Sequence, residues 1–160
     1  MAKLKFGGLN DYVLELEKLS NRSRECIGEA IYEGAAVIAD AVRKEIQALP
    51  VDNRIVRKGE MLNGVSQLQK DGLLDGFGIA PIRDDGDYRH VKLGFTGYNK
   101  LRSNNFPSGQ PNALIARSVN TGTSFRKRIP FVDNTVRQKK KECEDKMRET
   151  FDKELRKVTR

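Results

Sequence analysis

Tryptophan is missing from this 160-residue chain, and aromatic residues make up only 7% of it. Any core must therefore be built mainly from aliphatic side chains. Histidine occurs once, at His90, and cysteine twice, at Cys26 and Cys143, far apart in the sequence. Neither cysteine has a Cys or His neighbour at metal-ligand spacing. A nucleophile–base pair would need a cysteine to meet His90 in space, and no surrounding motif points to that. Each cysteine falls on a partly apolar face of an expected helix, so both read as reduced, half-buried thiols of a cytosolic protein. No secretory pattern favours a disulfide. The longest apolar runs are a few residues long, too short to span a membrane. Internal repeats and low-complexity tracts are also missing.

Charge is plentiful. Asp, Glu, Lys and Arg make up 32% of the chain, the net charge is +8 and the isoelectric point is near 9.6. Such a balance suits an anionic partner, although basic surfaces also keep small proteins soluble. The length fits one domain over residues 1–160 with a single core.

The hydrophobic periods predict an α+β domain, with two long helices packed on a small antiparallel sheet and a short N-terminal helix. Leu9, Val13 and Leu16, with Tyr12 or Leu19, repeat at helical spacing behind Asn10, a candidate N-cap. A principal helix follows, capped by Ser20 or Ser23 and ended by Pro50, with Ile27, Ala30, Ile31, Gly34, Ala35, Ile38, Val42 and Ile46 on one face. The small residues around Gly34 invite close packing, expected against a sheet. A helical turn is predicted around residues 68–74. A hairpin is predicted around Asp85-Gly86, with Pro81 marking an edge or a bulge. Residues 51–66 and 96–112 read as loops and candidate mobile segments. Residues 113–123 read as a short helix or strand. The last helix runs from about Pro130 to Val158 with Val132, Val136, Cys143, Met147, Phe151, Leu155 and Val158 as its apolar stripe.

Gly72, Gly76 and Gly78 lack the Lys-Ser ending of a phosphate loop. Asp84, Asp85 and Asp87 suit a tight turn better than a cation site. Lys139, Lys140 and Lys141 spread over about 300° of a helix at ~100° per residue, so they read as a solvated face, neutralised locally by the acids that follow. The triplet Arg126, Lys127 and Arg128 lies in a loop just before Pro130 and Phe131. Gly122 permits a sharp bend, Pro130 fixes the backbone and Phe131 supplies a large apolar anchor. Gly122, Pro130 and Phe131 thus read as an elbow that aims the last helix.

Taken in order, the segments EGAAVIADAVRKEIQALP, KDGLLDGFGI, HVKLGF and NTGTSFRKRIPF, with the helix running on to Arg160, cover most of the chain from Asp11 onward. In this order the chain resembles the tail-component family of long-tailed bacteriophages, the small neck or tail-completion proteins that help join capsid and tail. Where members often carry Ala-Arg-Pro-Phe, this chain has Arg128, Ile129, Pro130 and Phe131, and its loop 96–112 is longer. The resemblance implies a structural virion protein with no catalytic residues, cofactor or metal. Made in the host cytoplasm, it would form a ring, most often sixfold, at the neck or tail top. Its partners would be other copies of itself, tail-tube and connector or head-completion proteins, and DNA in the channel. Arg126, Lys127 and Arg128 would then contact a neighbouring subunit or DNA. The +8 charge supports an alternative, a small basic nucleic-acid-binding protein.

Overall fold

The computed structural model describes residues 9–86 and 88–158, with side chains described from Leu16 onward. Asp87, Arg160 and the side chains of Leu9, Asn10, Tyr12 and Val13 lie outside the described residues. The chain is α+β. Its elements are α1 (Leu9–Ala48), α2 (Gln67–Gly76), β1 (Phe77–Ile79), β2 (Arg83–Asp84), β3 (Arg89–His90), β4 (Leu93–Phe95), α3 (Asn112–Thr121) and α4 (Phe131–Val158).

The expected short first helix runs straight on into the principal one, and α1 is continuous for 40 residues. Neither Gly nor Pro falls between Leu9 and Ile27 to break it. Ser23, a candidate cap in the sequence, instead donates its hydroxyl back to the Leu19 carbonyl at 2.8 Å. This is the usual use of a serine inside a helix.

Helices α1 and α4 pack antiparallel. The small-residue face of α1 meets α4 rather than a sheet. A Cβ on Gly34 would overlap the Met147 side chain and lie 3.2 Å from the Cys143 carbonyl oxygen. The α1 face buries Cys26, Ala30, Ala35, Ala39, Val42 and Ile46, whereas Ile27 is exposed. The buried line of α4 runs through Phe131, Thr135, Cys143 and Thr150, not through Val136. Threonine is tolerated there because its hydroxyl is satisfied locally, as when Thr135 donates to the Phe131 carbonyl at 2.6 Å. Both thiols are free and buried.

The hairpin forms in two pieces. β1 pairs with β4, placing Phe77 opposite Phe95 and Ile79 opposite Leu93. β2 pairs with β3, placing Arg83 opposite His90. The register slips by one residue between the pieces, so that Pro81 and Ile82 together stand against Val91. This is the bulge that Pro81 predicts, because proline has no N–H for the ladder. Gly86 makes the turn at φ 89°. The hairpin leans on α1, where the Ile82 N–H donates to the Tyr32 hydroxyl at 3.2 Å and Arg89 donates to the Arg24 carbonyl.

The core gathers where α1, α2, α3, the β1–β4 ribbon and the start of α4 meet, around Val42, Ile46, Val65, Leu73, Val119 and Phe131. Burying each such aliphatic side chain is worth about 1.5–3 kcal/mol. Loop 96–112 is tied to this core. The Asn99 carboxamide oxygen accepts from Leu101 N–H at 2.9 Å, and Asn112 donates to the Thr96 carbonyl at 2.8 Å. Gly72 and Gly76 serve this packing, since a Cβ on either would overlap Asn99, Asn112 or the Thr96 carbonyl.

Gly34 sets the spacing of the two long helices. Gly34→Ala gains roughly 1 kcal/mol in helix propensity, but its Cβ would overlap Met147 at Cγ as well as at Cε and lie 3.2 Å from the Cys143 carbonyl oxygen, so Met147 must move. Gly34→Leu drives further atoms into the same contact, and overpacking of this kind costs about 1–3 kcal/mol. Thermal melts should therefore show Gly34→Ala at or somewhat below wild type and Gly34→Leu clearly lower. Equal melting temperatures for wild type and Gly34→Leu would refute the close crossing.

Candidate functional site

The elbow predicted from Gly122, Pro130 and Phe131 is built as one unit with loop 51–66. Gly122 follows α3 with φ 78°, a conformation open to glycine. A Cβ there would lie 3.0 Å from the Arg128 Cβ. A turn from Thr123 to Arg126 comes next, closed by Thr123 N–H donating to the Arg126 carbonyl at 3.0 Å. Pro130 lies one residue outside α4, and its carbonyl accepts the first helical bond, from Asn134 N–H at 2.9 Å. The next two free amides of α4, on Val132 and Asp133, donate to the Asn120 side-chain oxygen at 3.1 and 3.2 Å. The cap of α4 thus comes from α3 rather than from the chain just before the helix. Phe131 is 3% exposed and meets Phe95 edge-on at 6.3 Å. The aromatic wedge of the elbow is therefore seated in the protein's own core.

The basic triplet does not act as a unit. Arg126 is 3% exposed, donates to the Gln69 side-chain oxygen at 3.2 Å and leaves its Nε and Nη1 without a partner among the described residues. Burial pushes its pKa down, and the charge of nearby Asp52 opposes that shift. A surface contact through Arg126 is excluded in this conformation. The reason is local. Leu62 N–H donates to the Phe125 carbonyl at 2.8 Å, and Lys127 N–H donates to the Leu62 carbonyl at 2.9 Å. This strand-like pairing makes neighbouring residues alternate sides, which turns Arg126 inward and Lys127 out. Arg128 is exposed, donating to the Asn120 carbonyl at 3.3 Å and lying 3.7 Å from Asp133.

Loop 51–66 is equally braced. The Asp52 carboxylate accepts from Arg54 Nε at 2.8 Å, Arg54 Nη2 at 2.7 Å and Asn63 N–H at 3.0 Å. Arg54 also reaches the Met61 carbonyl at 3.4 Å. Gly64 bends at φ 113°, with no room for a side chain against the Pro50 carbonyl. On this frame stand Ile55, 93% exposed, and the exposed Met61 and Phe125. The same two segments carry the exposed cations Arg54, Arg57, Lys58, Lys127 and Arg128 and the exposed acid Glu60, with Arg54 paired to Asp52 and Arg128 near Asp133. Exposed apolar side chains on segments rich in cations can bury against another macromolecule and favour an acidic one. Sequence reasoning missed Ile55 and Met61, because a loop without a period gives no sign of which side chain protrudes.

The other candidates make contacts within the fold. His90 Nδ1 lies 3.4 Å from Asp85, and its ring stacks on Tyr88. Asp84 is paired with Arg89 at 2.8 Å and accepts from Gly86 N–H, as a turn aspartate does. Lys139 and Lys140 pair with Glu142 and Glu144 on their own helix. Among the described residues no group of three or more His, Cys, Asp or Glu side chains is placed to hold a metal, and no helix is long and apolar enough to cross a membrane.

The carboxyl of Asp52 is held well below the usual carboxylate range, first by the Arg54 hydrogen bond and then by the Asn63 N–H. A carboxylate depressed in the folded state stabilises the fold above its unfolded pKa of about 4, and that contribution is lost as the pH falls further. Asp52→Asn should lower the melting temperature at neutral pH, and the gap to wild type should shrink as the pH drops below about 4. A gap that stays constant into acid would show that the charge is not its source.

No family model matches the chain, and no curated protein or solved structure matches it.

Proposed function

We propose that the protein is a structural component of a long-tailed phage virion, assembling as a ring at the neck or tail top to complete the tail and join it to the head. The observation that carries this reading is the protruding Ile55, with Met61 and Phe125, on loops cross-braced by Asp52 and by the pairing at Leu62. A braced apolar tip is a surface made for a partner. The motif order that resembles the neck and tail-completion proteins supplies the identity of the assembly. Under this reading the partners are other copies of the chain, tail-tube proteins and connector or head-completion proteins. Exposed Lys127 and Arg128, rather than Arg126, make the charged contacts.

Electron microscopy of the purified protein mixed with phage tails should show rings or decorated tail ends. Protein that stays monomeric and binds neither tails nor connectors would remove this reading.

A second reading, non-specific nucleic-acid binding, is favoured by exposed Lys127 and Arg128 close in sequence to exposed Phe125, with Arg57 and Lys58 exposed on the loop that pairs with this segment at Leu62. It predicts binding to duplex DNA that weakens steeply with salt. In the double variant Lys127→Ala/Arg128→Ala the logarithmic salt slope should fall by roughly two. Fluorescence anisotropy that detects no binding at low salt would dispose of it.

A further inference from the structure

The β1–β4 ribbon has two strands, so among the described residues each has a second edge that pairs with no strand. The phase of the ladder decides which backbone groups stand there. Thr96 N–H donates to the Gly76 carbonyl at 2.9 Å, and Ala80 N–H donates to the Lys92 carbonyl at 2.8 Å. Gly78 lies opposite Gly94, midway between those pairs, and its bonds run into the ribbon in the same phase. Phe77, Ile79, Leu93 and Phe95 hold the other phase, with N–H and C=O groups pointing outward. On β1 the Phe77 N–H is taken by the Leu73 carbonyl of α2. On β4 the outward groups of Leu93 and Phe95 have no hydrogen-bond partner among the described residues, and both residues are half-buried. An edge of this kind is a template for one more strand.

The two faces of the ribbon differ sharply. Phe77, Ile79, Leu93 and Phe95 turn their side chains to the face that packs on the core. The opposite face carries Gly78 and Gly94, where an added Cβ would meet nothing within 4 Å. Small residues of α3, Ala113 and Ala116, line the space beside the β4 edge. A strand laid there needs apolar side chains at alternate positions for one face and can carry polar ones on the other. The sequence supplies such a stretch ahead of α1, in residues 1–8, which lie outside the described residues. Lys3, Leu4, Lys5 and Phe6 alternate strictly between polar and apolar, and Gly7-Gly8 separate them from α1.

This stretch is out of reach of its own ribbon. Leu93 and Phe95 line one cleft with Ile38 and Val42, and Leu9 and Ile38 lie about 44 Å apart on one unbroken helix at ~1.5 Å per residue. From Leu9 back to Lys3 the chain spans at most about 20 Å, even fully extended at ~3.4 Å per residue. We infer that Lys3–Phe6 of one copy pairs as an added strand with the β4 edge of a second copy. Leu4 and Phe6 then stand beside Leu93 and Phe95 on the apolar face, with Lys3 and Lys5 on the glycine face. A slip of one residue would put both lysines on the apolar face, so the side-chain pattern fixes the register. Main-chain bonds hold the added strand, and its alternate side chains select it. The contact rests on the reading that copies assemble, though not on where they do so. So short a strand binds weakly by itself and gains strength when several such contacts form in one closed assembly.

Amide hydrogen exchange of the full chain, read residue by residue by NMR, tests the pairing. In the double variant Leu4→Asp/Phe6→Asp the stretch loses its apolar side chains, and circular dichroism melts check that this variant folds as wild type does. A synthetic peptide of residues 2–8 is then added to it in large excess. Exchange at the Leu93 and Phe95 amides should slow by roughly tenfold or more, while Gly94, whose N–H faces β1, stays unchanged. The same peptide with aspartate at positions 4 and 6 should alter none of the three. Wild type without peptide should show the same slowing as its concentration is raised. Exchange at Leu93 and Phe95 that ignores both the peptide and the protein concentration overturns the inference. So does equal protection by the aspartate peptide, which would mean that apolar alternation does not select the strand. Slow exchange at these amides in dilute wild type overturns it as well, since the chain would then cover its own edge. Tail decoration without this protection would remove the strand contact and leave the neck role standing. Protection without tail decoration would do the reverse.

Discussion

Two helices come this close only where a side chain is missing, and Gly34 is that place. The Cys143 carbonyl and the Met147 side chain occupy the space that any larger residue would need. Fixing this point fixes the register of α1 against α4, because both helices are continuous through the crossing. The register in turn decides what is left over at each end. At one end α1 outruns α4 and exposes Leu16 and Leu19. At the other, α4 begins level with the C-terminal end of α1, where the ribbon and α3 pack against both.

That second end is held by contacts between parts distant in sequence. Asn120 of α3 caps α4, Phe131 of α4 packs on Phe95 of the ribbon, and Leu62 pairs with the elbow. Arg126 sits in the middle of this arrangement. A buried guanidinium with two unpartnered nitrogens is costly, and here it is offset in part by Gln69 and the nearby Asp52. Asp52 in turn braces the loop that presents Ile55. The apolar tip and its cations are therefore held by the same polar residues that are hidden beneath them.

Local signals made much of this legible in the sequence. Gly122 takes φ 78° and Phe131 is buried against Phe95, while Pro130 stands one residue outside α4 rather than at its first helical position. Pro81 announced the bulge. Tertiary partners decided what could not be read. The basic triplet looked uniform as a string, and only the pairing with Leu62 reveals that Arg126 faces in. Val136 looked like core because aliphatic residues usually are, yet Thr135 takes the buried position since its hydroxyl can bond one turn back. The serines near residue 20 looked like caps, but nothing behind them breaks the helix. Loop 96–112 looked free because its Asn and Gly content suits turns. In the fold Asn99 and Asn112 pin it to α2 and the ribbon.

The exposed Val136 also decides what the surface beside Phe95 looks like. Had the α4 stripe been buried as a whole, the groove beside Phe95 would be filled by the chain itself. Turning the helix so that Thr135 faces α1 leaves Val132 half-buried and Val136 open at the groove wall.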